Sequence, residues 1–375
     1  MISLKVTALG RLSTYACAAL VPALAFPQIA ASQIPDGYPA EYAEIVAKAE
    51  AEGSVVIYAN TEHAAVEPIL ADFHKAFPKI RADYIEIKAA DLFSRVSSEA
   101  AAGALKADVV WSSAMDLQYQ MVEDGIAAEY VSPEKDAVPA WSNWGDKIYG
   151  ITYEPVVMVY NSRVVSDDEM PDTREGLTSW LMENRDRMSG LVATYDPERS
   201  GLGFFAVSAD AQNSDALWPL VTAFGAVDTK FYTSTGTMLE KISAGEHAIG
   251  YNIIGPYAYL RAERDPNVKV VVPKDFTVVL SRLAIVTEQA SHPNAARVFL
   301  DYLLSQRGQT VVGNDAHLFA IRPDVEGQAT IAGLTEAYGD ILKPVAIGPE
   351  LLEAIQPMER LTFFREWAAA LKAGK

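Results

Sequence analysis

The chain has 375 residues, half of them hydrophobic and 21% charged, which leaves room for two sizeable cores in an ordinary globular composition. A formal net charge of −18 excludes nucleic acid and anionic membrane surfaces as natural partners, although a few local donors can still hold a small anion. The single cysteine, Cys17, lies in the N-terminal segment, so no disulfide, cysteine metal site or thiol nucleophile is expected beyond it.

The chain opens on Lys5 and Arg11, followed by a mostly apolar stretch over 15–31 that ends in Ala30-Ala31-Ser32. A positive start, a short apolar region and small closing residues predict a secretory signal peptide over 1–32. Pro22 and Pro27 interrupt the stretch, which is too short and broken to span a membrane. Most of it follows Cys17, unlike a lipoprotein signal, so no lipid anchor is expected. The mature chain is predicted to be soluble, cysteine-free and periplasmic.

Residues 38–52 carry a helical pattern (Tyr42, Ile45, Val46, Ala49), and Val55-Val56-Ile57-Tyr58 then reads as a short buried strand. The strand stops at Asn60-Thr61-Glu62, and a helix follows through Val66, Ile69, Leu70, Phe73 and Phe77 until Pro78 ends it. A strand that delivers small polar residues to a helix start leaves free N–H groups and partial positive charge at its carboxyl end. Ligands bind there in open α/β sheets. Asn60, Thr61 and Glu62 are therefore candidates for one wall of a ligand cleft, against the plainer reading of an ordinary helix cap. A second strand is predicted over 80–87, a helix over 91–104 with Asp91 as its cap, and a third strand over 107–111. Ser112-Ser113-Ala114 closes that strand before a helix over 115–123. The same arrangement recurs on the same sheet edge, which adds Ser112 and Ser113 to the candidates.

The run ITYEPVVMVYN over 151–161 is apolar enough to leave one lobe and enter another, with Tyr153 and Glu154 at its head. A third strand-and-turn unit runs over 191–195 into Asp196-Pro197-Glu198-Arg199-Ser200-Gly201. Residues 201–206 fit the GxGxxA form of a dinucleotide fingerprint. Phe204-Phe205 instead suits a buried helix face, and no acid-ended strand follows at the required spacing, so no cofactor is expected. Arg199 and Ser200 at a glycine-assisted helix start suit a carboxylate or phosphate, the alternative being a surface arginine in a loop. Another apolar strand over 248–252 ends in Tyr251-Asn252, and a helix is expected to open over 253–256. A further strand is read at 268–272. The run TVVLSRLAIV over 277–286 reads as the crossing back to the first lobe, before helices over 292–308 and 349–373. The five histidines show no HExxH spacing and no serine sits in a GxSxG elbow, so no catalytic residue is assigned and an enzyme is not expected.

The segments GSVVIYANTE, ADVVWSSAMD, SAGEHAIGYN and above all HPNAARVFLDYLLSQRGQ (292–309) make nearly the whole mature chain resemble the bacterial periplasmic solute-binding proteins of ABC importers. The resemblance is greatest to the branch that includes binders of ferric iron, phosphorylated sugars and phosphonates. It implies an α/β, two-lobed periplasmic binding fold of type II, with two crossing strands that hinge closed on a ligand. On that reading the first lobe spans 33–152 and 279–375, and the second spans 153–278. The resemblance also implies a monomer that works with an inner-membrane permease and ATPase. Iron-binding relatives carry adjacent tyrosines where this chain reads Gly255-Pro256-Tyr257-Ala258-Tyr259. Losing one phenolate of a hard donor pair favours a small organic anion over Fe(III), and no metal ligands are assigned. In the expected cleft, Asn60, Thr61, Glu62, Ser112 and Ser113 face the ligand from one lobe. Arg199 with Ser200 pairs its anionic group from the other, Tyr251 or Asn252 hydrogen-bonds the rest, and Tyr153 stacks at the hinge. Glu62 is expected to face a hydroxyl or ammonium group. An iron carrier and a ligand-sensing partner of a histidine kinase are the alternatives.

Overall fold

A computed structural model describes residues 38–353 and 356–375, so the predicted signal peptide and Cys17 lie outside the described residues. The first half builds one sheet. Helix α1 (Tyr42–Glu52) ends at Gly53, whose φ of 75° suits a residue without Cβ, and β1 (Ser54–Ala59) follows. Then come α2 (His63–Ala76), β2 (Arg81–Glu86), α3 (Ala89–Ala101), β3 (Val109–Ser112), α4 (Met115–Glu123) and the short strands β4 (Asn143–Trp144) and β5 (Ile148–Gly150). Asp91 is not the cap of α3; Lys88 holds that place, and Asp91 lies in the first turn, where its charge complements the helix dipole.

The second sheet begins with β6 (Glu154–Asn161), buried along its whole length as its apolar sequence predicts. It continues through α5 (Arg174–Glu183), α6 (Arg185–Met188), β7 (Val192–Tyr195), α7 (Gly201–Asn213), α8 (Leu217–Ala226), β8 (Lys230–Tyr232) and α9 (Thr235–Ala244). After β9 (Ile249–Ile254) follow α10 (Gly255–Arg264), β10 (Val268–Val271) and β11 (Thr277–Leu280). The apolar run over 277–286 is two strands rather than one. β11 pairs with β6 in the second sheet, whereas β12 (Leu283–Val286) pairs with β3 and β5 in the first, and the chain changes sheets at Ser281-Arg282. The remainder comprises α11 (Pro293–Leu304), α12 (Gln306–Asn314), α13 (Ile331–Tyr338), β13 (Leu342–Pro344) and α14 (Pro357–Gly374). Strand order is β2-β1-β3-β12-β5-β4 in one sheet and β13-β11-β6-β9-β7-β8 in the other, with β10 beside β6. The fold is the two-lobed α/β architecture expected from the sequence.

The C-terminal tail departs from its expected place. It does not stay with the first lobe: β13 extends the second sheet beside β11, and α14 lies against α8. The two helices touch through glycine. A Cβ on Gly225 would lie 2.1 Å from the Leu371 carbonyl oxygen, and one on Gly374 would lie 2.0 Å from that of Thr222. Trp367 is buried against this face. The lobes also meet directly, because Leu92 of α3 and Met115 of α4 share one apolar cluster with Phe205 of α7 and Ile254 of β9.

Two buried carboxylates of the first lobe, Asp108 and Asp301, are each met by several donors. Asp108 accepts from the Val56 amide at 2.8 Å and from the His292 amide at 2.9 Å, which fixes the start of α11 on the sheet. Asp301 of α11 is fully buried and accepts from Tyr42 Oη (2.9 Å), Tyr130 Oη (2.6 Å) and Ser132 Oγ (2.5 Å). Burial pushes its carboxyl up to about 7, outweighing the three donors that favour the charged form. A carboxyl whose folded pKa exceeds its unfolded value favours folding most at low pH, and that contribution fades as pH rises from about 4 through about 7. Between pH 5 and 8 the wild type should therefore lose stability on the order of 2 kcal/mol more than Asp301→Asn, read from urea midpoints at the two pH values. Equal losses in the two proteins would show that Asp301 is charged throughout.

Candidate ligand-binding cleft

The carboxyl end of β1 faces the starts of α9 and α10 across the line where the chain changes lobes. At the floor of this cleft Arg282, between β11 and β12, forms a bidentate ion pair with Glu154 at the head of β6. Nε lies 2.6 Å from Oε1 and Nη2 lies 3.2 Å from Oε2, and both side chains are 2% exposed. Nη1 donates to Thr61 Oγ1 at 2.7 Å, from the first lobe, and Nη2 reaches Tyr257 Oη at 3.3 Å, from the second. Thr152 Oγ1 donates to Glu154 Oε1 at 2.7 Å and accepts from the Arg282 amide at 2.8 Å, tying the two crossing segments together. Burial alone would lower the Arg282 pKa, but the neighbouring Glu154 carboxylate prevails and holds the guanidinium charged. Burial also raises the Tyr257 phenol, so Tyr257 sits here as a neutral hydroxyl.

The ten residues expected to bind ligand meet different fates. Asn60 and Ser113 bond each other, with Asn60 Nδ2 donating to Ser113 Oγ at 2.9 Å and the Ser113 amide donating to Asn60 Oδ1 at 3.0 Å. This pair clamps the β1 and β3 turns into one surface. Ser112 Oγ accepts from the Ala114 amide at 3.2 Å. Thr61 is buried and committed to Arg282, and its carbonyl accepts from Tyr84 Oη at 2.6 Å. Glu62 reaches across the cleft: an ideal Cβ on Gly236, in the first turn of α9, would lie 4.0 Å from its Oε1. A carboxylate beside the positive end of that helix is favourable electrostatically. Tyr153 is buried, with its ring 5.9 Å from that of Trp141.

In the second lobe Tyr251 and Asn252 are turned inward. Tyr251 Oη donates to Asp210 Oδ2 at 2.6 Å, Asn252 Nδ2 does so at 3.2 Å, and Arg174 Nη2 holds Asp210 Oδ1 at 2.5 Å. Their bonds fasten α7 to β9, and Asn252 takes a left-handed φ of 58° in doing so. Ser200 is the N-cap of α7, its Oγ accepting from the Gly203 amide at 3.0 Å. Gly203 itself is required by closeness, since a Cβ there would lie 2.4 Å from that of Tyr195. Arg199, like Glu62, has a side chain bonded to no described residue. Its side chain is exposed and its guanidinium has no hydrogen bond or ion pair with any described residue. Asp116, in the first turn of α4, is buried with Oδ1 unpartnered, and burial raises its carboxyl to about 6. Among the described residues no group of three His, Cys, Asp or Glu could hold a metal ion, and no helix is long and apolar enough to cross a membrane.

Sequence reasoning placed Glu154 at the crossing without a role and passed over Arg282, Asp210 and Arg174. A signal was present for the first pair. Each is the single charge in an apolar run that spans the lobes, and a charge forced into such a run needs an opposite charge beside it.

Residues 69–336 match the bacterial extracellular solute-binding protein family. No curated protein matches the chain. Among solved structures, a substrate-binding protein of an ABC transporter from Agrobacterium tumefaciens is 34% identical over 85% of this chain and 94% of its own, with a TM-score of 0.80. The periplasmic binding protein AfuA from Actinobacillus pleuropneumoniae, with fructose-6-phosphate bound, is 19% identical over 85% of this chain and 99% of its own, with a TM-score of 0.69. Iron-bound HitA from Pseudomonas aeruginosa is 19% identical over 84% and 99%, with a TM-score of 0.66.

Removing one partner of the floor ion pair strands a buried charge. Glu154→Gln should lower unfolding free energy by about 3–5 kcal/mol, and Glu154→Gln/Arg282→Met should recover much of that loss. Urea denaturation of both variants checks this, and a loss in Glu154→Gln of under about 1 kcal/mol would mean that water reaches the pair.

Proposed function

Because the chain belongs to the bacterial extracellular solute-binding proteins, we propose that it is the substrate-binding component of an ABC importer, capturing a small organic anion between its lobes in the periplasm. It then presents the solute to a membrane permease and its ATPase. Solute binding in this family serves transport rather than catalysis. The observation that carries the anionic reading is Arg199, a guanidinium left without a partner at the start of α7. That helix touches α3 of the opposite lobe, and Leu92 of α3 and Phe205 of α7 belong to one apolar cluster, which supports placing its start at the cleft. A guanidinium next to free helix N–H groups suits phosphate, phosphonate or carboxylate. AfuA, with its bound sugar phosphate, shows this fold accommodating such a ligand.

The moving bodies we infer are 33–152 with 279 to about 338, and 153–278 with the tail that joins them. The hinge lies where Thr152, Glu154 and Arg282 are bonded. Of the predicted contacts, Asn60, Ser112, Ser113, Arg199 and Ser200 remain with the ligand. Thr61 and Glu62 serve closure, and Tyr251 and Asn252 serve the second core. Tyr153 keeps its place at the hinge, packed on Trp141. Tyr257 is bonded to Arg282 and preceded by Pro256, so it lacks the second phenolate that would favour Fe(III) over an organic anion.

The test is a thermal-shift screen of the mature protein with sugar phosphates, phosphonates, small carboxylates and Fe(III), followed by titration of the best hit. Arg199→Ala should weaken binding of an organic anion at least tenfold, as a charge-assisted contact of about 1.5–3 kcal/mol requires. Its unfolding free energy should move by less than about 0.5 kcal/mol, because the side chain is exposed. Unchanged affinity, or a response to iron alone, would overturn the anionic reading.

A further inference from the structure

A cavity of about 770 Å³ lies on the opposite side of α10 from the cleft. Tyr257 and Tyr259 are two residues apart, about 200° around the helix, so one faces Arg282 while the other faces away. Tyr259 and Glu263 form one wall from the second lobe. His317 and Phe319 with α13, including Glu336 and Tyr338, form the other from the first. None of the residues assigned to the cleft lines this space.

The chemistry of the lining is selective. Tyr259 and Phe319 have ring centroids 5.3 Å apart at 55°, Phe319 belonging to the core, and Tyr259 and Tyr338 are the partly exposed rings that line the cavity. Glu263 and Glu336 supply two carboxylates that pair with no described residue, and no lysine or arginine lines the cavity. Anions are repelled by such a wall, and a neutral solute leaves its charges unused. A cation gains from both the ring faces and the carboxylates. The volume falls in the range of small-molecule sites. We propose that this cavity is a second binding site, specific for a small organic cation of the quaternary ammonium or protonated amine class. It shares no lining residue with the cleft proposed for the anion.

Choline titrated into the full mature protein by calorimetry at constant ionic strength tests the assignment. Saturable binding in the millimolar range or tighter is expected. Glu263→Gln/Glu336→Gln should weaken it at least tenfold without moving the urea midpoint, since both side chains are exposed, and Tyr259→Ala should also weaken it. Arg199→Ala should leave it within twofold. The neutral isostere 3,3-dimethylbutanol should bind at least tenfold more weakly than choline. The proposal is overturned by any of four results: no saturable choline binding, equal affinity for the neutral isostere, unchanged affinity in the double glutamine variant, or loss of binding in Arg199→Ala.

Discussion

The two lobes are held in register by one buried ion pair, Arg282 with Glu154, placed where both crossing segments leave one sheet for the other. Each charge alone would be too costly to bury, and the bidentate geometry with added hydroxyls from Thr152, Thr61 and Tyr257 is what makes the pair tolerable. A pair of apolar residues could fill the same volume. It could not specify which strand head meets which crossing, because apolar contacts carry no direction. Thr61 and Tyr257 come from different lobes, so the same guanidinium also registers whether the lobes are together. Opening the cleft must break or lengthen at least one of these two bonds.

That constraint explains why the cleft wall contains fewer free groups than its polar sequence suggests. Asn60 and Ser113 spend their side chains on each other, Ser112 holds the turn before α4, Ser200 caps α7, and Glu62 reaches toward the start of α9. Preorganisation of this sort lowers the entropy lost when a ligand arrives, since the turns are already fixed. Under the proposed function it leaves backbone N–H groups and Arg199, rather than these hydroxyls, to meet the ligand. The apolar contact between α3 and α7 adds a force for closure that needs no ligand. Differential affinity for the closed form then only has to refine a balance already near it.

The strands, most helices and the doubling of lobes were legible from periodicity, because each is set by local burial: β6 is buried throughout as its apolar run demands. The strand-to-polar-turn junctions were legible for the same reason. Which side of a junction a side chain serves was not. Tyr251 and Asn252 look like cleft residues in sequence, yet Asp210, some forty positions earlier, draws both inward. The run over 277–286 reads as one strand because nothing local marks the change of sheet except Arg282 itself. Which lobe the final helix joins was not legible, because its apolar stripe of Phe363, Trp367, Ala370 and Leu371 marks a buried face but not its partner, and close backbone approach at Gly225 and Gly374 seats it on α8.

Buried charges in this protein divide into those answered and those left open, and the division separates architecture from recognition. Arg282 with Glu154, and Arg174 with Asp210 and Asp275, are answered within the chain and fix its shape. Asp116 keeps an unpartnered oxygen in the first turn of α4, just past Ser112 and Ser113 on the cleft edge of β3. An ionised carboxylate left so would be expensive, and its raised pKa reflects that cost. Glu62, the acid expected from the sequence to face a hydroxyl or ammonium group, is exposed, has a carboxylate bonded to no described residue and lies toward the start of α9.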